Sequence, residues 1–281
     1  MGYELLVLDI DGTVTNSEKK VLPKTREAVF QIQRMGVKVV LASGRPPEGV
    51  LPVAGELRFD RYGSYILAFN GGKILDARTG HCVFEKCLPR HLPGCLWEDA
   101  VRNQIGMAAY RTGTIVAGTE PDAYMLQESR ITGMPVEYRK DFKRYVDFSV
   151  NECLLTGEPE MLENLEPVLT RKYFHEVQIF HSEPFYLEVV PKNIDKAYGL
   201  KYLLERLKIS WEKVVCCGDS YNDINMIRHA GLGVAMANAP EEIQAMAGYI
   251  TTADNDHDGI AEVIEKFFLS GGSGSVRERL F

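Results

Sequence analysis

The sequence predicts an α/β protein, a Rossmann-like core built on a parallel sheet and interrupted by an inserted α+β domain. Three observations carry this expectation. Strand-like and helix-like segments alternate at the start of the chain and again at its end, the pattern of a parallel sheet with crossover helices. Between these arms the texture changes to short strands and helices mixed with many turn residues. The length, 281 residues, exceeds one modal domain and suits one large domain or two unequal ones.

Taken in chain order, Tyr3 to Asp9 reads as a strand and Pro23 to Met35 as an amphipathic helix, with Pro23 near the first turn where its missing N–H costs nothing. Val37 to Ala42 is a strand, and helix and strand repeat through Pro46 to Gly55 and Tyr65 to Phe69. Lys73 to Asp76 and Cys82 to Lys86 flank Arg78-Thr79-Gly80 as a hairpin. The mixed texture lasts from there to about Leu187. After Asn193 come a helix at about Lys196 to Leu207, a strand Lys213 to Cys217, a helix from Tyr221, a short strand Gly231 to Ala235, and helices near Pro240 and Gly259. The expected organisation is a discontinuous core of 1–83 and 188–270, an inserted domain of 84–187 and a tail of 271–281, whose Gly271-Gly272-Ser273-Gly274-Ser275 has the composition of a flexible linker. No repeat of solenoid period is present.

Composition excludes several classes. Apolar residues make up 45% and charged residues 25%, ordinary globular usage. The balance of 32 Lys and Arg against 39 Asp and Glu gives a net charge of −7, the wrong sign for gripping a polyphosphate backbone, so no nucleic-acid partner is expected. Apolar runs such as Leu5 to Leu8 and Val37 to Ala42 are too short to cross a bilayer, so no membrane partner is expected either. Acidic Glu4 and Asp9 flank the first apolar run where a secretory leader would be basic, and a cytoplasmic home follows. The six cysteines have no regular spacing and read as buried or free thiols; zinc binding by His81, Cys82, Cys87, His91 and Cys95 would need a spacing unlike that of a known finger. Oligomeric state is not fixed by the sequence, and a monomer fits it.

The chemistry lies at strand ends. Asp9 and Asp11 flank Ile10 where the first strand finishes, and strand alternation turns residues two apart to one side. Gly12 lets the chain turn sharply beyond them. Lys213 to Cys217 is a second strand that leads into Gly218-Asp219, with Asp223 four residues on, stacked over Asp219 if the turn is helical. Ligands bind beyond the carboxyl ends of parallel strands, where both acid pairs fall. Close carboxylates repel unless a proton or cation sits between them, so four of them ask for a hard divalent ion, Mg²⁺ above all. A bare pair of aspartates could equally be turn and cap residues.

A third strand end gives Ser43-Gly44-Arg45, where the Ser43 hydroxyl and the Gly44 N–H can donate to phosphate oxygens beside the start of a helix, though a serine there is also an ordinary cap. Lys196 stands at a helix start behind Asn193 and Asp195, an unfavourable place for a cation. It reads either as a group that neutralises phosphate and aspartate charge or as a solvated surface lysine.

In their order along the chain, Asp9-Ile10-Asp11-Gly12-Thr13, Ala42-Ser43-Gly44-Arg45, Lys196 and Gly218-Asp219-Ser220-Tyr221-Asn222-Asp223 resemble the four motifs of the haloacid dehalogenase superfamily. The long insertion after Phe69-Asn70-Gly71-Gly72, together with Pro191 to Lys196, Val234 to Ala239 and Asp258-Gly259, is similar to the Cof-type subfamily with its type IIB α/β cap. Gly72 stands where that subfamily usually has Ala, and the cap matches only in size and placement. The resemblance implies a phosphatase in which Asp9 is the nucleophile that forms an aspartyl-phosphate and Asp11 is the general acid and then the general base. It implies Mg²⁺ bound by Asp9, the main-chain carbonyl of Asp11 and Asp219, with Asp223 in or near the layer of groups behind those ligands. Ile10 through its backbone N–H, Ser43, Gly44, Lys196 and Asn222 would hold the phosphoryl oxygens, and Arg45, Asn70 and Gly71 would approach the substrate.

The expected substrate is a small phosphate ester, a sugar phosphate or a phosphorylated cofactor. A phosphomannomutase-like phosphosugar mutase would need a second phosphate pocket, which Arg139, Lys140, Lys143 and Arg144 could supply if they are not simply a solvated face. A receiver-like protein that stores a phosphoryl group is opposed by Asp11, which would speed turnover. A dinucleotide-binding module is opposed by the lack of a G-x-G-x-x-G turn after the first strand.

Overall fold

The computed structural model describes residues 2–270; the expected tail 271–281 lies outside them. In chain order its strands are β1 (Leu5–Leu8), β2 (Lys38–Ala42), β3 (Tyr65–Ala68), β4 (Lys73–Asp76), β5 (Cys82–Glu85), β6 (Gly106–Arg111), β7 (Thr114–Ala117), β8 (Val136–Tyr138), β9 (Cys153–Thr156), β10 (Val177–Glu183), β11 (Tyr186–Pro191), β12 (Val214–Gly218), β13 (Leu232–Ala235) and β14 (Tyr249–Ile250). The chain forms two compact units. One holds the chain up to Phe84 and from Asp195 onward, and the other is Glu85–Ile194.

In the first unit the strand order is β14-β13-β12-β1-β2-β3-β4-β5. Pairing is parallel from β14 to β3 and turns antiparallel at β4. Strands covered on both faces must be apolar throughout, and Leu-Leu-Val-Leu of β1 and Val-Val-Cys-Cys of β12 are fully buried. One face packs Leu5, Val7, Val40 and Cys216 against Leu200, Leu203 and Leu204 of the helix Lys196–Leu207. Asp195 caps that helix by accepting from the Tyr198 N–H at 2.7 Å. The helices Pro23–Arg34 and Gly259–Ile264 pack against each other. The expected hairpin is present as β4 and β5, with Gly80 in the left-handed region at φ 69°.

The second unit has an antiparallel order β10-β11-β9-β6-β7, with β8 added parallel at the edge. Met107, Ala109, Cys153, Leu155, Leu187 and Val189 bury one face of this sheet under the helices Leu92–Asn103 and Pro159–Lys172. The unit extends to Ile194, beyond the expected limit of Leu187, because β11 continues to Pro191 and pairs with β10 inside it. Two small elements carried no signal in the sequence, the one-turn helix Phe59–Tyr62 and the two-residue β14. Among the described residues no helix is long and apolar enough to cross a membrane.

Candidate active site

Every candidate residue of the phosphatase site belongs to the first unit, whereas Arg139, Lys140, Lys143 and Arg144, the candidates for a second phosphate pocket, belong to the other. Asp9 directly follows β1, and its N–H extends the ladder by donating to the Cys217 carbonyl at 3.0 Å. Asp219 directly follows the neighbouring β12. Adjacent parallel strands thus deliver the two carboxylates side by side. Asp223 joins them by a route the sequence left open: a 3₁₀ turn, Tyr221–Asp223, folds it back so that its Oδ2 accepts the N–H groups of Asp219 and Ser220 at 3.1 and 3.0 Å. Oxygen atoms of Asp9, Asp219 and Asp223 all lie within 4.8 Å of one another.

Lys196 is wholly buried, which removes the solvated reading. Its ammonium donates to Asp9 Oδ1 and Asp223 Oδ1, each at 2.6 Å. Burial alone would lower the Lys196 pKa, but Asp223 and Asp9 outweigh it and hold the group above its usual value. Burial pushes Asp9 well above the usual carboxylate range; Lys196 opposes this, while Asp223 and Asp219 add to it. Asp219 is pushed up to about 6, first by burial and then by Asp223, against a hydrogen bond from the Thr13 hydroxyl at 2.8 Å. One cation thus stands against three clustered carboxylates. A set of hard oxygen donors with surplus negative charge fits a divalent ion such as Mg²⁺.

Asp11 departs from the four-acid cluster expected at the sheet edge. It lies beyond β1, where the regular alternation of strand side chains no longer applies, and its carboxylate is held by a forked ion pair from Arg45, Nε to Oδ2 at 2.8 Å and Nη2 to Oδ1 at 2.6 Å. Lys19 adds a third contact at 2.6 Å. Burial would raise Asp11, yet Arg45 and Lys19 prevail and hold it below its usual value. Lys19, six residues past the Asp9–Thr13 motif and outside it, gave no sign of this role in the sequence.

Backbone shape closes the site. Gly12 has φ 78°, and a Cβ there would meet Asp219 Oδ2 at 2.3 Å. A Cβ on Gly218 would lie 2.4 Å from Asp223 Cγ, so both positions require glycine for the acids to stand where they do. Asn238 steadies the turn by donating to the Gly12 carbonyl at 2.9 Å.

At the end of β2, the Ser43 hydroxyl accepts from the Arg45 N–H at 3.1 Å, and the Ser43 carbonyl accepts from the Asn70 N–H at 3.0 Å. Asn70, in the left-handed region at φ 49°, accepts from Asn222 at 3.1 Å, and its amide nitrogen would lie 3.1 Å from a Cβ on Gly44. Ser43, Gly44, Asn70 and Asn222 therefore gather in one place. Ile10 is buried, and its carbonyl accepts from Thr15. Gly71 faces elsewhere: a Cβ on it would strike the Asp195 carbonyl at 2.3 Å, so it serves close packing against the start of the Lys196 helix.

Acids held at adjacent strand ends, with a buried lysine between them, match the motif order in the sequence, and residues 6–264 match the haloacid dehalogenase-like hydrolase family. The chain belongs to that family. A haloacid dehalogenase-like hydrolase of Bacteroides thetaiotaomicron is 40% identical and superposes with a TM-score of 0.90 over 94% of this chain and 98% of its own. A protein of Thermotoga maritima is 28% identical with a TM-score of 0.85, over 94% and 97% of the two chains. The 5-amino-6-(5-phospho-D-ribitylamino)uracil phosphatase YcsE of Bacillus subtilis is 30% identical across 96% of this chain and 97% of its own. This haloacid dehalogenase-like hydrolase, of the Cof type, is a phosphatase.

Proposed function

We propose that this phosphatase hydrolyses a small phosphorylated metabolite, a sugar phosphate or a phosphorylated cofactor, through an aspartyl-phosphate on Asp9, in a cytoplasmic setting. The observation that carries this reading is the placement of Asp9, buried among Asp219, Asp223 and Lys196. In the first half-reaction an Asp9 oxygen bonds to phosphorus while the ester bond breaks, and the leaving oxygen takes a proton from Asp11. In the second, Asp11 takes a proton from water, the water oxygen bonds to phosphorus, and phosphate leaves with Asp9 restored. The Arg45 and Lys19 contacts favour the carboxylate form of Asp11, the form this second step needs, and the first step requires that they loosen so that Asp11 can carry its proton.

Asp9, Asp219 and the Asp11 main-chain carbonyl would hold Mg²⁺, with Asp223 fixed beside them because both its oxygens already accept hydrogen bonds. Bound there, the ion supplies positive charge toward the phosphoryl oxygens and the clustered carboxylates. Ser43, Gly44, the Ile10 backbone N–H, Lys196 and Asn222 would position the phosphoryl group, with Arg45 and Asn70 near the substrate. The second unit, which contains none of these residues, is assigned the part of a cap that selects the substrate.

Phosphate release from a panel of phosphorylated metabolites, with p-nitrophenyl phosphate as an activated ester, tests this reading. Activity should vanish with chelator and return with Mg²⁺. Replacing 85–194 by a short linker should erase the rank order among metabolites while slow p-nitrophenyl phosphate turnover persists. Full activity after exhaustive chelation would refute the metal, and an unchanged rank order would refute the cap.

A further inference from the structure

The face of the second unit's sheet opposite its packed core sets a group of acids among buried apolar residues such as Ala108, Leu154 and Val190. Ala109, Cys153 and Val189 point to the core, so Tyr110 on β6 and Glu188 on β11 point the other way. Glu152, the residue before β9, has the parity of Leu154 and leaves on the same side. Ala108 and Glu188 both pair with Leu154. Extending that register sets Glu152 beside Tyr110 and diagonal to Glu188, within reach of long side chains. Glu128 closes the group from the helix Ala123–Thr132, accepting from the Tyr110 hydroxyl at 3.0 Å.

Glu152 is only 2% exposed, and its Oε2 has no hydrogen-bond partner among the described residues. A buried carboxyl oxygen left without a partner loses its hydration with nothing in return. Burial, reinforced by Glu188 and Glu128, pushes its carboxyl well above the usual range. Glu128 and Glu188 are half-buried, so the group opens to solvent on their side. Among the described residues, the only acidic set with donor atoms gathered within 4.8 Å is the aspartate cluster of the first unit. The glutamates are thus spaced for something wider than a bare metal ion.

We propose that Glu152, Glu188, Glu128 and Tyr110 form a binding site in the second unit for the protonated primary amine of a small organic molecule. An ammonium group supplies donors for the unpartnered Glu152 oxygen and its neighbours and brings the missing positive charge. The amine could belong to an aminated phosphate ester, which rests on the cap reading above, or to a free amine, which does not.

The test is calorimetric binding to the full chain of ethanolamine, 1,4-diaminobutane and glucosamine, each against its hydroxyl counterpart, together with glucosamine 6-phosphate against glucose 6-phosphate. At least one amine of the panel should bind about tenfold or more tighter than its counterpart, a difference one charge-assisted contact supports. Glu152→Gln, nearly isosteric, should abolish that preference without changing Mg²⁺-dependent p-nitrophenyl phosphate turnover. Should Glu152→Gln fail to fold, Glu188→Gln, at a half-buried position, serves instead. A preference shown only by the phosphorylated amine and matched in kcat/KM identifies a substrate group; one shown equally by free amines identifies a separate ligand. Equal affinities throughout, or a preference that survives both substitutions, would overturn the site. Loss of turnover on every ester with amine binding intact would instead count against the phosphatase reading of the first unit.

Discussion

A lysine without solvent exposure depends on its anionic partners, and they on it. Lys196→Met would leave Asp9 and Asp223 buried with no counter-charge, and removing one member of such a pair costs about 3–5 kcal/mol. Urea unfolding in the presence of chelator should show a loss of that size; a loss under about 1 kcal/mol would mean that water reaches the carboxylates. Asp219 links the site to pH. Its carboxyl titrates near ~4 when unfolded and at about 6 in the metal-free fold. The folded state therefore keeps a proton that the unfolded chain has lost, so this group's stabilisation is complete below about 4 and fades as pH rises through about 6. The same proton competes with a cation, so apparent Mg²⁺ affinity should climb between about pH 5 and 7 and then level off in calorimetric titrations. A flat affinity over that range would remove Asp219 from the metal site. Asp9 and Asp219 were legible in the sequence because each sits in a motif at a strand end, whereas the helix start that holds Lys196 suited a solvated lysine as well, and only the motif order singled it out. The direction of the Asp11 side chain was not legible, because Asp11 lies past the strand whose alternation predicted it. Nor was Lys19, since nothing local marks a surface lysine that reaches a carboxylate eight residues back.

At the scale of elements, the turns after β1 and β12 do the positioning. Gly12→Ala would force a left-handed backbone on a residue with a side chain, costing about 1–3 kcal/mol, and would drive its Cβ into Asp219. With Asp219 displaced by an ångström or so, kcat/KM should fall by about 10²-fold while circular dichroism stays native. Near wild-type kinetics would show that the close approach is not needed. Most core elements were readable within a residue or two, the Lys196–Leu207 helix among them, because uniform apolar strands and a capped amphipathic helix announce themselves locally. The 3₁₀ turn that folds Asp223 back was not, since a helical turn and a 3₁₀ turn share the same start residues. Long-range ties also stay hidden in a single sequence: Asp256 accepts from Ser17 at 2.8 and 2.7 Å, and Asp258 from Thr25 at 3.0 and 2.9 Å, joining segments more than 230 residues apart.

For the molecule as a whole, one chain builds a sheet for chemistry from its two ends and a second sheet from its middle. The alternation at both ends predicted this division. The inner limit near Ile194 was obscured because β11 ends at Pro191 only a few residues before the Lys196 helix begins, with little turn sequence between. The acids of the second unit passed unremarked in the sequence, since Glu128, Glu152 and Glu188 are far apart until the sheet register brings them together. The central claim is that the first unit works by moving the phosphoryl group onto its own Asp9. Acid quenching during steady-state turnover, followed by peptide mass spectrometry, tests this most directly. The account predicts the added mass of one phosphoryl group on the peptide that contains Asp9, labile to hydroxylamine and absent from Asp9→Asn, which should have lost turnover while keeping its fold. An adduct on another residue, or an Asp9→Asn variant that still turns over at the native rate, would contradict it.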